Sequence, residues 1–245
     1  MKILIRRSFI TWAASRPVVR TWLRWAMELT PRIPENLEFI IGSYGHDGTG
    51  KRATPRVFVN ATAFADSESQ ARQMLELLET CPCAPRAERR REVAAVSMEE
   101  RLEMTSRADP DGKRYAADNI YTDASADELV PLMRELFAGL PSAHSHIFWW
   151  NWGPLRPLPD MALSIQGNIY LACYSVWDHE ADDAPMERWV VDQMKRLEHL
   201  AVGSKLNDEN MARRPARYFS DAAAARLERL RILHDPEHRF ASFPK

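Results

Sequence analysis

Across 245 residues the chain has three cysteines, nine glycines, almost no net charge and no long apolar run. Each shortage excludes something. With Cys81, Cys83 and Cys173 the count is odd, so no disulfide framework is expected, and Cys81-Pro-Cys83 has neither the spacing nor the second pair of a zinc site. The three are read as ordinary thiols. A formal charge of −1 gives no overall field towards nucleic acid or an anionic membrane, and neither partner is expected. The opening Met1-Lys-Ile-Leu-Ile-Arg-Arg is too short in apolar length for a signal segment. No stretch reaches the roughly 20 apolar residues that span a bilayer. The expected location is the cytoplasm. The few glycines fit neither G-x-G-x-x-G nor G-x-x-x-x-G-K-[ST]. Those between Gly42 and Gly50 sit between two strand patterns, which predicts a hairpin loop and not a phosphate cradle.

What is present alternates helix and strand signals. Residues 17–29 carry Val18, Trp22, Trp25, Ala26 and Leu29 at helical spacing after Pro17, and Pro31 and Pro34 end the run. Leu37–Tyr44 and Arg56–Phe64 read as an antiparallel hairpin. Ser67-Glu-Ser-Gln70 and Ser125-Ala-Asp-Glu128 are capping boxes, opening helices to about residue 79 and to Gly139. Residues 81–118 read mostly as loop, with a short helix near 98–104 and an arginine-rich solvated stretch, Arg86–Arg91. Strands are expected over Ser145–Trp152 and Ala162–Trp177, and helices near 185–200 and 220–232. The pattern predicts an α+β fold, with helices on one face of an antiparallel sheet and two ferredoxin-like halves.

Candidate site residues come from the long strand. Alternation places Gln166, Asn168, Tyr170 and Tyr174 on one face, opposite Ile165, Ile169, Leu171 and Cys173. A tyrosine hydroxyl there could orient a substrate alcohol or amine, or act as a general base if its pKa were lowered. Trp149, Trp150 and Trp152 read as packing or cavity wall, Trp150 being the candidate substrate contact. His144 and His146 lack a third ligand, so no metal is expected.

The closing segment has a signature of its own. Arg217-Tyr-Phe-Ser220, then Arg226-Leu227 on a helix, then Asp235-Pro236 and Phe240, resembles the C-terminal segment of berberine-bridge-type FAD-linked oxidoreductases. Leu227, Leu230 and Leu233 are expected to bury one helix face and Phe240 to anchor in an apolar pocket. Upstream, Trp22-Leu-Arg-Trp25 with Pro34-Glu-Asn-Leu37, and Lys113-Arg-Tyr115 before a capped helix, fall where that family's substrate domain has counterparts. The resemblance implies a substrate-binding cap over 1–203 and a tail over 204–245. It also implies FAD as cofactor and an alcohol, amine or similar small organic molecule as substrate. By the same resemblance Asn207 would meet the flavin's carbonyl edge. The departures are Ile165-Gln166 where a His-Arg pair is common, Ser204-Lys-Leu-Asn207 for Tyr-x-Asn, Ser220 for glycine and His234 for an aromatic. The domain that grips most of the FAD has no counterpart in the sequence, which implies a fragment, a split subunit or a relic, and an FAD-binding domain as partner. The competing expectation is a non-enzymatic α+β module that binds a small ligand or forms a homo-oligomer through its sheet.

Overall fold

The computed structural model describes residues 4–46, 52–152, 157, 159–208 and 210–240. The first half runs β1 (Leu4–Ala13), α1 (Arg16–Leu29), β2 (Leu37–His46), β3 (Arg52–Ala65), α2 (Glu68–Leu75) and β4 (Arg89–Ala95). After α3 (Met98–Ala108), the second runs β5 (Arg114–Thr122), α4 (Ala126–Ala138), β6 (His146–Asn151), β7 (Ile169–Trp177), α5 (Asp183–Leu197) and β8 (Ala201–Gly203). Both halves are thus βαββαβ, the ferredoxin-like unit. The strands form one eight-stranded sheet in the order β4-β1-β3-β2-β6-β7-β5-β8. Each half contributes the same local order, and the halves meet where β2 pairs antiparallel with β6, Ile41 opposite Trp149. The predicted α+β architecture, with an antiparallel sheet and ferredoxin-like halves, is what the chain adopts.

Local chemistry explains the helices. Pro17 occupies the first turn of α1, and Val19, Trp22, Leu23, Ala26 and Leu29 bury one face. The Ser67 side chain caps α2 by accepting from Gln70 N at 3.2 Å. One core joins α1, α2, α4 and α5 to a single sheet face. Its largest side chains include Trp12, Trp22, Phe39, Phe137 and Trp149. Trp22 meets Phe137 edge-on at 5.7 Å between ring centroids. All three cysteines are buried free thiols. Burial raises the Cys81 thiol to about 12 and pushes Cys83 and Cys173 up as well, so they are inert at neutral pH.

Several expectations need correction. Residues 81–118 are not mostly loop, since they contain β4, α3 and the start of β5. Strands β1 and β8 were also not expected. In β1 the core-facing Ser8, Ile10 and Trp12 alternate with Arg7, Phe9 and Thr11, and its arginines break the apolar pattern. In β5 the inward Asp118 is a buried carboxylate. The long strand starts at Ile169, and residues 162–168 are not strand. No residue of α6 (Asp221–His234) is buried. Leu233 is 70% exposed and Phe240 74%, so neither the expected buried helix face nor the anchoring pocket forms among the described residues. The reason is local: α6 is tied to the preceding segment by polar contacts, Arg226 to Asp160 and Ser164 to Ser220, which leave its outer apolar stripe without a counter-surface. The Asp-Pro stop does work as read, because Asp235 accepts from Arg239 N at 2.7 Å and Phe240 N at 3.0 Å.

No described helix is long and apolar enough to cross a membrane. The tip of the Gly42–Gly50 loop, from residue 47, and Gly153 of the loop after β6 lie outside the described residues.

Candidate functional site

The sheet face opposite the helix layer is aromatic. Strict alternation sends one set of side chains into the core and the other to this face. On β7, Tyr170 and Tyr174 point here while Ile169, Leu171 and Cys173 enter the core, as expected from sequence. On β6, Trp149 enters the core. Its neighbours Phe148 and Trp150 lie on the aromatic face, with centroids 5.1 Å apart. Trp150 lies 5.4 Å from Tyr170, Tyr121 of β5 lies 5.3 Å from Tyr170, and His146 stacks on Tyr174 at 4.6 Å. Towards the first half, Phe148 meets Phe58 at 6.1 Å and Phe58 meets Phe9 at 5.5 Å. The rings therefore run across both halves.

A polar centre sits on these rings. The Tyr170 hydroxyl donates to Asp208 Oδ2 at 2.5 Å, a charge-assisted hydrogen bond. The Lys205 ammonium lies 5.2 Å from the Tyr170 ring centroid, within cation–π range. Both partners come from the loop after β8, and a polar network holds that loop in place. Asn119 Nδ2 donates to the carbonyls of Lys205 and Asp208, both at 2.8 Å, and Asn119 Oδ1 accepts from Lys205 N at 2.7 Å. Beneath it, Arg214 donates from Nε to Asp118 Oδ2 at 2.6 Å and from Nη2 to Asp118 Oδ1 at 2.5 Å. The same Nη2 also reaches Asn119 O at 2.9 Å. The Asp118–Arg214 pair is buried. Burial pushes the Asp118 carboxyl up, and the Arg214 guanidinium pulls it back towards the charged form.

The candidates fare unequally. Tyr170, Tyr174 and Trp150 come together. The condition for a tyrosine base is not met: burial, with the Asp208 carboxylate adding to it, raises both Tyr170 and Tyr174 well above the ordinary phenol value. At neutral pH both are protonated donors. Gln166 precedes the strand and is half-buried. Asn168 does not join the tyrosines. Its side chain is exposed, and its Nδ2 and backbone N both donate to Asp123 Oδ1, at 2.9 and 2.7 Å. It lines a groove with Met27 and Thr30 of the helix layer. The Asn207 side chain lies outside the described residues. His146 Nδ1 pairs with His144 O and Nε2 with Asp109 at 3.4 Å. The described residues contain no group of metal-ligating side chains. Sequence reasoning missed Asp208, Lys205 and Asn119. They lie in a polar loop and mid-strand, and only the period-two run of aromatics on β6 and β7 pointed towards that face.

No protein-family model matches the chain. In sequence it is 26% identical over 221 residues to the FAD-linked oxidoreductase janO of Penicillium janthinellum, covering 88% of this chain and 48% of that protein. To the FAD-linked oxidoreductase nodO of Hypoxylon pulicicidum it is 25% identical over 240 residues, covering 96% and 51%. In structure it matches 6-hydroxy-D-nicotine oxidase of Arthrobacter nicotinovorans with a TM-score of 0.72 at 14% identity, over 99% of this chain and 55% of that one. It matches berberine bridge enzyme with a TM-score of 0.70 at 10% identity, over 98% and 54%. The fold is that of the berberine-bridge-like flavoenzymes. The resemblance seen in the tail therefore extends through the berberine-bridge-like architecture of both halves. The chain spans about half the length of the curated relatives it matches.

Proposed function

We propose that this chain is the substrate-binding part of an FAD-dependent oxidoreductase acting on an alcohol, amine or similar small organic molecule. It would work with an FAD-binding domain supplied in cis or in trans. The observation that carries the reading is the aromatic sheet face with the polar centre of Tyr170, Asp208 and Lys205, in a chain whose sequence relatives are FAD-linked oxidoreductases.

The described residues suit part of FAD. The half-buried rings of Trp150, Phe148 and Tyr174 offer apolar area to a planar ring system, since offset and edge contacts between rings are favourable. For the diphosphate they offer nothing comparable. Gly42 and Gly45 make close strand approaches to Ile147 O and Ser142 O, and no described glycine opens a helix. The bound flavin would supply the hydride acceptor. This chain's own residues would bind and orient. Trp150 forms a wall, Tyr170 and Tyr174 are donors fixed as phenols, Gln166 sits near the rim, and Asn207 meets the cofactor only by the family resemblance. In this reading residues 1–203 form the cap and 204–245 the tail.

The test is to mix the purified chain with FAD, alone and with an FAD-binding domain from a relative, and record the visible spectrum of the eluted complex. A flavin band that co-elutes with both chains and bleaches on adding substrate supports the reading. No retained flavin in either mixture refutes it.

A further inference from the structure

We propose that the Asp208 centre binds the cationic nitrogen of a ligand whose body is an apolar ring system; calling that ligand the substrate rests on the oxidoreductase reading above. The argument begins with charge. Asp208 is half-buried and uses one carboxylate oxygen to accept from Tyr170. A carboxylate offers about four acceptor positions, so its contacts with the phenols of Tyr170 and Tyr174 leave room for a further donor. Among the described residues, no lysine or arginine forms an ion pair with Asp208. A half-buried carboxylate beside aromatic rings is better satisfied by a positive partner than by a neutral one.

The second observation is independent of the first. Lys205 already lays its ammonium against the Tyr170 ring, at 5.2 Å. The chain itself thus shows that this ring accepts a cation on its face. The ring's hydroxyl is donated to Asp208, so one tyrosine joins the carboxylate to the π-surface. Tyr121 and Trp150 flank the same ring and supply apolar area for the ligand's body. An anionic ligand would meet Asp208 unfavourably. A neutral alcohol could hydrogen-bond to it but would gain neither the ion pair nor the cation–π term. Lys205 then acts as an internal competitor that the ligand's own cation displaces.

Three isosteric probes separate these cases by titration calorimetry on the full chain without flavin: tryptamine (cation), tryptophol (neutral) and indole-3-acetate (anion). Tryptamine is expected to bind about tenfold tighter than tryptophol, the size of a partly desolvated cation–π and charge contact, and indole-3-acetate weakest. Asp208→Asn should abolish the preference for tryptamine while leaving tryptophol binding unchanged. Lys205→Met should tighten tryptamine several-fold, because it removes the competitor. Equal binding of tryptamine and tryptophol, no binding of tryptamine, an unchanged preference in Asp208→Asn, or weaker tryptamine binding in Lys205→Met would each overturn the inference. Flavin retention with the FAD-binding domain is scored separately. Amine selectivity without flavin would leave this inference standing and remove the oxidoreductase reading, and flavin without amine selectivity would do the reverse.

Discussion

The Asp118–Arg214 pair is the most exacting test of how the loop carrying Lys205 and Asp208 is held. Both side chains are buried, Arg214 being 3% and Asp118 0% exposed. Arg214 also donates to Asn119 O at 2.9 Å and to Ser204 Oγ at 3.3 Å. Arg214→Met keeps most of the aliphatic volume but leaves the Asp118 carboxylate without its counter-charge. Breaking such a buried pair from one side costs about 3–5 kcal/mol, against a typical total stability of roughly 5–15 kcal/mol. With a urea slope of about 2–3 kcal/mol per molar, the unfolding midpoint should fall by roughly 1–2 M. Replacing both partners, Asp118→Leu with Arg214→Met, removes the stranded charge and should recover most of the loss, because apolar replacement of a whole buried pair is often close to neutral. The assay is urea unfolding followed by tryptophan fluorescence for the wild type, both single variants and the double variant. If Arg214→Met shifts the midpoint by less than about 0.3 M, or if the double variant is less stable than either single one, the reasoning fails.

The other predictions rest on equally local observations. Burial raises the phenols of Tyr121, Tyr170 and Tyr174 above their unfolded value, so their contribution to stability is whole below about pH 10 and is lost as pH rises beyond it. The urea midpoint should hold up to about pH 10 and fall above it, and Tyr170→Phe should flatten that fall. A slope unchanged by the substitution would refute the assignment. Trp22→Ala, at a side chain with no exposed surface between Trp12 and Phe137, should cost about 3–5 kcal/mol in the same assay. Ser67→Ala removes the cap on Gln70 N and should cost about 1 kcal/mol. Gly42→Ala would place a methyl carbon 2.5 Å from Ile147 O. It should destabilise the β2–β6 junction by about 1–3 kcal/mol, seen as faster hydrogen exchange there.

Much of the fold was legible because each element's pattern could be read from the element alone. The helix from Pro17 to Leu29 and the hairpin of β2 and β3 announce themselves by spacing. Strands β1, β4 and β5 do not, because what makes them strands lies elsewhere in the chain. Arg6 is part-buried and pairs with Glu68 of α2 at 2.7 Å. Arg90 donates to both carboxylate oxygens of Glu79 at 2.9 Å. Asp118 is tolerated inside only because Arg214 arrives from 96 residues away. A charge pattern that looks like a solvated loop can thus be a strand whose counter-charges are supplied by the fold. The site divides in the same way. Tyr170, Tyr174 and Trp150 follow from alternation along neighbouring strands. Asp208 and Lys205 reach Tyr170 only through loop packing, which no local periodicity records. Asn168 shows the opposite error: extending the alternation beyond the true start of β7 at Ile169 assigned it to a face that its bond to Asp123 denies it.

The duplicated topology explains why the site lies where it does. Each βαββαβ half puts both of its crossover helices on one side of its sheet, and joining the halves edge to edge through β2 and β6 keeps all four helices on that side. On the remaining face α3 touches one corner, where Arg101 lies over Phe64 and pairs with Glu38. Half-solvated antiparallel sheets usually carry polar side chains on the open face. This face carries Phe9, Phe58, Phe148, Trp150, Tyr170 and Tyr174, with Arg7 bonded to Asn60 and Glu38 paired with Arg101 towards the first half. Aromatic side chains contribute large apolar areas, and here they form one connected set across both halves. Against that background Asp208, a half-buried carboxylate bonded to Tyr170, is informative. Asp208 is held over the rings by hydrogen bonds from Asn119 to its loop and by the buried pair beneath. The fold therefore uses a polar network to place Asp208 and Lys205 beside the Tyr170 ring, the arrangement expected where one end of a ligand must be fixed while the rest lies against the rings.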